Sequence, residues 1–179
     1  MHKFSRHLSL FVLCLPLFLP VQAQADARAY VGIGAGQATL KNQGSPDETA
    51  IGYKIFGGLY ATGPFAVEVS HINLGKYYKD TANAFEVSGN ALHLVGKLPF
   101  SPRLAALAKV GLFSWDVQYN GSTASTTGTD TTYGFALTYI LMTGQTFRVE
   151  WENYSDVGKV NTYSGHDMTL ISAGISISF

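Results

Sequence analysis

The last eleven residues of the chain, TLISAGISISF at 169–179, constrain its fold more than any other stretch. Odd positions carry Thr, Ile, Ala and Phe, whereas even positions from 172 onward carry only Ser and Gly. This alternation is typical of a β-strand between an apolar and a polar environment. In water, an unpaired strand with an apolar face promotes aggregation. We therefore expect this strand to close a barrel by pairing with the first strand, with its apolar face turned to lipid.

Seven more segments show strand patterns, and we predict strands at residues 29–40, 50–60, 65–74, 84–98, 104–118, 131–141 and 146–154. Their connections alternate between long polar loops, the most polar at 119–130, and tight turns at 61–64, 99–103 and 142–145. A membrane-spanning strand needs about 9–11 residues, which these lengths match. The pattern predicts an all-β fold, an eight-stranded antiparallel up-and-down transmembrane β-barrel with short periplasmic turns and longer extracellular loops. Aromatic residues near the turns are expected to form an interfacial girdle: Tyr60, Phe65, Phe147 and Phe179.

Charged residues recur on the strand faces opposite the apolar ones. A Lys or Arg facing lipid near the bilayer midplane costs about 2–4 kcal/mol, so these side chains should face inward and pair. The predicted interior charge cluster comprises Lys54, Glu68, Lys97, Lys109, Arg148, Glu150 and Glu152. Because an eight-stranded barrel is only wide enough for side chains to fill, we expect a closed, polar, salt-bridged interior. A narrow pore for small solutes is the alternative, and a soluble lipocalin-like barrel is disfavoured because its apolar face would point inward.

The N-terminus has the features of a cleaved signal peptide. Lys3 and Arg6 precede a mostly apolar run at 8–20, and the small-x-small pattern of a cleavage site ends at residue 25. The run is shorter than the ~20 residues that a membrane helix needs. We predict a signal peptide at 1–25, which contains the only cysteine, Cys14, and a barrel domain at 26–179. Of 12 basic and 12 acidic residues, cleavage removes two basic ones, and no basic patch for nucleic acid remains.

Several stretches resemble the transmembrane barrel of outer-membrane protein A and its small relatives: GYKIFGGLY at 52–60, VEVSHINLG at 67–75, residues 133–158 and the terminal ISISF. The resemblance implies location in the cell outer membrane and a structural or surface-interaction role, such as adhesion. In that family, the assembly machinery reads the terminal aromatic strand, which here would use Ile175, Ile177 and Phe179. The family also buries inward charges, which Glu68 and Arg148 would match. Thr138 stands where the family has an inward acid, so the network is expected to be rearranged.

Two groups of residues could suggest catalysis or metal binding. The interior glutamates could act as paired carboxylates, but the basic residues among them favour ion pairing instead. His71 and His93 lie on neighbouring predicted strands, but the alternation sends His71 outward and His93 inward. We therefore predict no metal site and no cofactor.

A lipid A-modifying enzyme is the alternative function. Lipid A deacylases share this barrel and carry a His-x-Ser pair on a late strand. The comparable stretch here is Asn153-Tyr154-Ser155, in which asparagine stands where the general base should be. A serine without an adjacent base is a weak nucleophile, so we predict no catalytic residue.

Tyrosines in or next to the outer loops could contact partners: Tyr77, Tyr78, Tyr119 and Tyr163. Loops on a rigid scaffold are frequent recognition sites, although aromatic residues there could equally anchor the barrel at the lipopolysaccharide interface. The expected partners are outer-membrane lipid and lipopolysaccharide, the barrel-assembly machinery and, as a further candidate, an extracellular ligand at the loops. The barrel itself is expected to be monomeric.

Overall fold

The computed structural model describes residues 29–41, 47–61, 63–78, 84–119, 125–158 and 165–179. Eight strands follow one another: β1 (Ala29–Leu40), β2 (Glu48–Tyr60), β3 (Phe65–Tyr77), β4 (Phe85–Pro99), β5 (Leu104–Tyr119), β6 (Ser125–Met142), β7 (Gln145–Val157) and β8 (His166–Ser178). They form one closed barrel in which neighbours are antiparallel and β8 pairs with β1, so the predicted fold class is confirmed. Within the described residues, no helix is both long and apolar enough to cross a bilayer. The predicted signal peptide and Tyr163 lie outside these residues.

The largest error in the predicted strand boundaries lies in the β5–β6 hairpin. The prediction placed 119–130 in a loop, whereas β5 continues to Tyr119 and β6 already begins at Ser125. The sequence STTGTD at 125–130 is polar but rich in threonine, a residue that favours strands. Cross-strand hydrogen bonds support the extension, since Ser114 Oγ lies 2.9 Å from Thr129 Oγ1. This hairpin therefore rises well beyond the apolar part of the barrel.

The strand register gives the barrel a shear of ten residues. A path of paired residues that leaves β6 at Thr129 returns to β6 at Tyr139, ten positions away, after passing through Ser114, Asn90, His71, Ile55, Ile33, Ile175 and Phe147. Shear and strand number together fix the width of a barrel, and eight strands leave an interior that side chains can fill. Residues on the path therefore lie at different heights.

The outer surface carries a broad apolar belt, as the alternation predicts. Ile33, Val69 and Phe135 are 64%, 58% and 60% exposed, and all three lie on faces predicted to meet lipid. A water-exposed surface rarely carries so continuous an apolar area. Phe65, Phe147 and Phe179 are exposed near the turn end, where the girdle was expected. The prediction that Tyr60 belongs to the girdle is wrong. Its side chain lies on the same inward face as Lys54 and packs on Tyr30 inside the barrel, with ring centroids 5.4 Å apart.

The barrel interior consists of three layers along its axis. The upper apolar plug, at the loop end, includes Leu40, Ile72, Leu74, Tyr77, Val87, Phe113, Trp115, Val117, Tyr154, Met168 and Leu170. The lower apolar ring, at the turn end, comprises Tyr30, Phe56, Ala66, Val95, Leu107 and Ala136. Charged side chains lie between the two. The expectation of a polar interior is therefore wrong for the loop half of the barrel, where apolar side chains fill the lumen.

Candidate functional site

Six of the seven predicted interior charges meet in the middle layer of the barrel, and we call these six the charge cluster. They are Lys54 on β2, Glu68 on β3, Lys109 on β5, and Arg148, Glu150 and Glu152 on β7. The three β7 residues occupy alternate positions of one strand, so all three point to the same side of the sheet. Each of the six side chains is at most 4% exposed. The cluster holds three cations and three anions and is electrically neutral.

Lys109 contacts all three carboxylates of the charge cluster. Its Nζ lies 3.1 Å from Glu68 Oε1, 2.7 Å from Glu150 Oε2 and 2.5 Å from Glu152 Oε1. An ammonium group has three protons to donate, so this arrangement uses all of them. Lys109 is thus the residue on which the cluster most depends.

The other two cations complete the pairing. Lys54 Nζ lies 2.7 Å from an oxygen of Glu150 and 2.7 Å from one of Glu152. Arg148 donates from Nη1 to Glu68 at 2.8 Å and from Nη2 to Glu150 at 2.9 Å. The hydroxyl of Tyr30 also donates to Glu68, at 2.9 Å. Every carboxylate oxygen in the cluster therefore accepts at least one hydrogen bond, which a buried charge requires.

Glycines opposite the charged residues make room for these long side chains. Gly134 pairs with Lys109 on one side and Glu152 on the other. A Cβ on Gly134 would lie 2.6 Å from the carbonyl oxygen of Trp151 and 2.9 Å from Glu152 Cγ. At Gly58, a Cβ would collide with the ring of Tyr30, whose hydroxyl holds Glu68. The small inward residues of the sequence thus shape the space for the cluster.

Lys97 does not join the charge cluster, so its predicted place there is corrected. It points inward but lies nearer the turn end of β4, opposite Leu107. It is half-buried, and its Nζ lies over the ring of Tyr60, 5.5 Å from the centroid. Strand alternation gives the face of a residue but not its height, and the height separates Lys97 from the carboxylates.

The upper apolar plug was not predicted. Phe113 and Tyr154 pack with ring centroids 4.7 Å apart, and both side chains are fully buried. Trp115 Nε1 donates to Asp130 Oδ2 at 2.8 Å, which satisfies its polar group near the loop end. Continuing the alternation upward from Lys109 would have identified this layer, since the next inward positions carry Gly111, Phe113 and Trp115.

The two histidines are placed as the alternation predicts. His71 lies outside, where Nδ1 is 3.0 Å from Asn90 Oδ1. His93 is buried beside the cluster with Nε2 3.5 Å from Thr132 Oγ1, and its Nδ1 has no hydrogen-bond partner. No grouping of His, Cys, Asp and Glu that could hold a metal ion occurs in the part of the chain that the structure describes.

The candidate nucleophile Ser155 has an amide as its neighbour. Asn153 Nδ2 donates to Ser155 Oγ at 3.1 Å. An amide nitrogen that donates cannot take the hydroxyl proton, so this contact does not activate the serine.

The predicted assembly segment lies at the seam of the barrel. Ile175, Ile177 and Phe179 are 48%, 52% and 75% exposed on the outer face. The backbone of Phe179 exchanges hydrogen bonds of 2.9 and 3.1 Å with Ala29, which joins the two ends of the described chain. These residues therefore face the lipid side near the turn end.

Comparisons with known proteins agree with this architecture. The family model for the OmpA-like transmembrane domain matches residues 24–179, while curated protein sequences give no match. Neisserial surface protein A superimposes with a TM-score of 0.71 at 16% identity, covering 84% of this chain and 97% of that one. Ail of Yersinia pestis, solved with the heparin analogue sucrose octasulfate, gives 0.61 at 13% identity, covering 87% and 100%. The N-terminal barrel of Pseudomonas aeruginosa OprF gives 0.56 at 15% identity, covering 86% and 100%.

Proposed function

The chain belongs to the family of OmpA-like transmembrane domains, and we propose that it acts as a sealed structural and surface-interacting barrel without transport or catalysis. Its eight-stranded architecture and its location in the cell outer membrane agree with the related barrels. What it does there is the subject of the proposal.

The observation that carries the proposal is the neutral charge cluster across the lumen. Lys109 alone contacts three carboxylates contributed by β3 and β7, so one network spans the barrel. An ion moving through this layer would have to separate pairs whose members are buried, which is costly in a low-dielectric interior. The upper apolar plug adds a second barrier of buried aliphatic and aromatic side chains. The interior therefore favours a closed barrel over the narrow pore.

Conductance measurement tests the closed state. The purified barrel is inserted into planar lipid bilayers, with a trimeric porin as a positive control for insertion and recording. We expect no unitary conductance above that of protein-free bilayers. As a matched comparison, the double variant Phe113→Ala and Trp115→Ala opens the plug but leaves the cluster, and it should also remain closed. Stable channels in the unmodified protein would contradict the proposal.

The donor contact at the candidate nucleophile supports the proposed lack of lipid A deacylase activity. Asn153 Nδ2 donates to Ser155 Oγ, so the serine has a hydrogen-bond donor where a lipid A deacylase would place a base. Mass spectra of lipid A from cells with and without the expressed protein should therefore be identical. Loss of an acyl chain in the expressing cells, absent in a Ser155→Ala control, would establish an enzyme instead.

The charge of the loop end supports a surface role with neutral or cationic ligands. In the sequence, the outer loops and the strand ends beside them carry eight acids against four bases. The acids are Asp47, Glu48, Asp80, Glu86, Asp116, Asp130, Asp156 and Asp167, and the bases are Lys41, Lys76, Lys79 and Lys159. Ail was solved with a heparin analogue, which is a polyanion. A surface with this acidic excess should repel such a ligand. We therefore expect the purified barrel to pass through a heparin column at low salt, and retention would contradict this part of the proposal.

A complementation experiment separates the structural from the surface role. Envelope leakage is compared in a deletion strain that expresses either the intact barrel or one with its four outer loops trimmed. Rescue by both would place the function in the lipid-embedded barrel, and rescue by the intact protein alone would place it in the loops. A leaky strain that neither form rescues would contradict both roles.

A further inference from the structure

A cavity at the turn end of the barrel has the composition of an anion-binding site. It has a volume of about 260 Å³ and extends from the exposed turn at Ser101, Pro102 and Arg103 to the buried Arg148. Pockets for drug-sized ligands usually begin near 300 Å³, so this cavity suits a smaller ligand. Because Arg148 belongs to the charge cluster that crosses the lumen, the cavity ends at that layer and can be entered only from the turn end.

The charges around the cavity are all positive. Lys97, Arg103 and Arg148 line it, and neither Asp nor Glu occurs among the described residues of its wall. The charge cluster cannot neutralise Lys97 and Arg103, because its own cations and anions already balance. The ammonium group of Lys97 lies over the ring of Tyr60, a contact that leaves its protons available to an anion. Two positively charged residues beyond the balanced cluster thus line this space.

Arg148 closes the inner end of the cavity. The side chain is 2% exposed, and its Nη atoms bind Glu68 and Glu150. Its Nε is buried and has no hydrogen-bond partner within the protein. The guanidinium lies over the ring of Phe56, with Cζ 4.5 Å from the ring centroid, so Arg148 forms the inner wall of the cavity without offering it a free donor.

Hydroxyl groups complete the wall. The lining includes Tyr60, Thr146, Ser176 and Ser178, each of which can donate a hydrogen bond. Guanidinium and ammonium groups combined with hydroxyls are the usual donors to an oxyanion, since several of its oxygens can be bound at once. A halide offers one acceptor atom and would leave most of these donors unused.

We propose that this cavity binds a phosphate group presented from the periplasmic side, held by Lys97 and Arg103, with Arg148 at its inner end. The group can be free inorganic phosphate or the phosphate of a small ester such as a lipid headgroup. The site lies outside the sealed layers, so it goes beyond the proposed function. Phosphate binding at this site does not depend on whether the barrel conducts ions.

Amide chemical shifts of the folded barrel in detergent micelles test the site. Inorganic phosphate and glycerol 3-phosphate, the soluble form of a lipid headgroup, are titrated separately against a sodium chloride control at matched ionic strength. We expect saturable shifts at the amides of 101–103 and 176–178. Tighter binding of inorganic phosphate would assign the free ion, and tighter binding of glycerol 3-phosphate would assign the headgroup.

The variants distinguish a built site from nonspecific attraction. Lys97→Gln combined with Arg103→Gln should weaken phosphate binding at least about tenfold, because each residue supplies charged hydrogen bonds. The matched control, Lys41→Gln with Lys76→Gln, removes the same charge at the loop end and should bind phosphate as the unmodified barrel does. Lack of saturation by either ligand, or equal weakening in both double variants, would overturn the proposal. These outcomes are independent of the conductance measurement.

Discussion

Replacing Lys109 with methionine should destabilise the barrel more than any other single change in the charge cluster. The Nζ atom of Lys109 lies within 3.1 Å of Glu68, Glu150 and Glu152. Methionine fills a similar volume but leaves three buried carboxylates facing two cations. Removing one partner of a buried ion pair costs about 3–5 kcal/mol, and here one residue serves three pairs. We therefore expect a loss at or above the upper end of that range.

A second substitution should recover part of this loss. Glu152→Gln in the Lys109→Met background restores neutrality, because Lys54 and Arg148 then balance Glu68 and Glu150. Groups within one network are not additive, so the double variant should be more stable than the sum of the two single losses predicts. Residues in contact usually show interaction energies of about 0.5–3 kcal/mol, and we expect the double variant to exceed the additive prediction by an amount in this range.

Reversible urea unfolding in lipid vesicles, followed by tryptophan fluorescence, measures these free energies. The matched control is Lys76→Met, which removes an amine near the loop end of β3, outside the cluster. Surface substitutions of that kind usually change stability by less than about 0.5 kcal/mol. If Lys109→Met and Lys76→Met lower the free energy of unfolding equally, or if Glu152→Gln adds a further loss to Lys109→Met, the cluster is not the network described here.

Three further changes test the outer face, the seam and the packing. Val69→Arg places a cation on the lipid face and should reduce folding into liposomes by about 2–4 kcal/mol, whereas Ser178→Asn near the turn end should fold normally. Similar folding yields for the two would refute the assigned faces. Deletion of Phe179 should lower the amount of folded barrel at the cell surface, measured by heat-modifiable electrophoresis, and undiminished display would remove its assembly role. Gly134→Val should fold poorly because its side chain would meet the Trp151 carbonyl and Glu152, and a native melting profile would contradict that crowding.

Strand number, order and sidedness could be predicted from the sequence because lipid imposes a simple rule. An apolar residue at every second position is required wherever the barrel meets hydrocarbon, and the rule is visible in a single strand such as β6. The same rule locates the inward charges, since Lys109 and Arg148 could not face lipid. Above the apolar belt the strands no longer meet hydrocarbon, so the alternation is not required there. The polar start of β6 at Ser125 therefore has the sequence pattern of a loop.

The heights of inward residues could not be predicted from single strands, and the wrong placement of Lys97 follows from this. Lys97 and Lys109 share an inward direction, but their separation along the axis depends on the register of β4 and β5 and on the shear of the closed barrel. Those quantities come from pairing across all eight strands, not from any one of them. The upper apolar plug has a different origin: Phe113 and Trp115 continue the inward face of Lys109 beyond the charged layer, so an interior that is polar at mid-height becomes apolar toward the loops.

The charge cluster is best understood as specifying the register of the barrel. A buried ion network adds little stability compared with apolar packing of the same volume. However, a shift of one strand by a single residue turns its inward side chains to the opposite face. For β7 this would expose Arg148, Glu150 and Glu152 to lipid and would leave Lys54 and Lys109 without Glu150 and Glu152, their partners on that strand. The arginine alone would cost about 2–4 kcal/mol near the midplane, before the lost pairs are counted. An all-apolar interior would carry no such penalty, since both faces of a slipped strand would then suit lipid equally well.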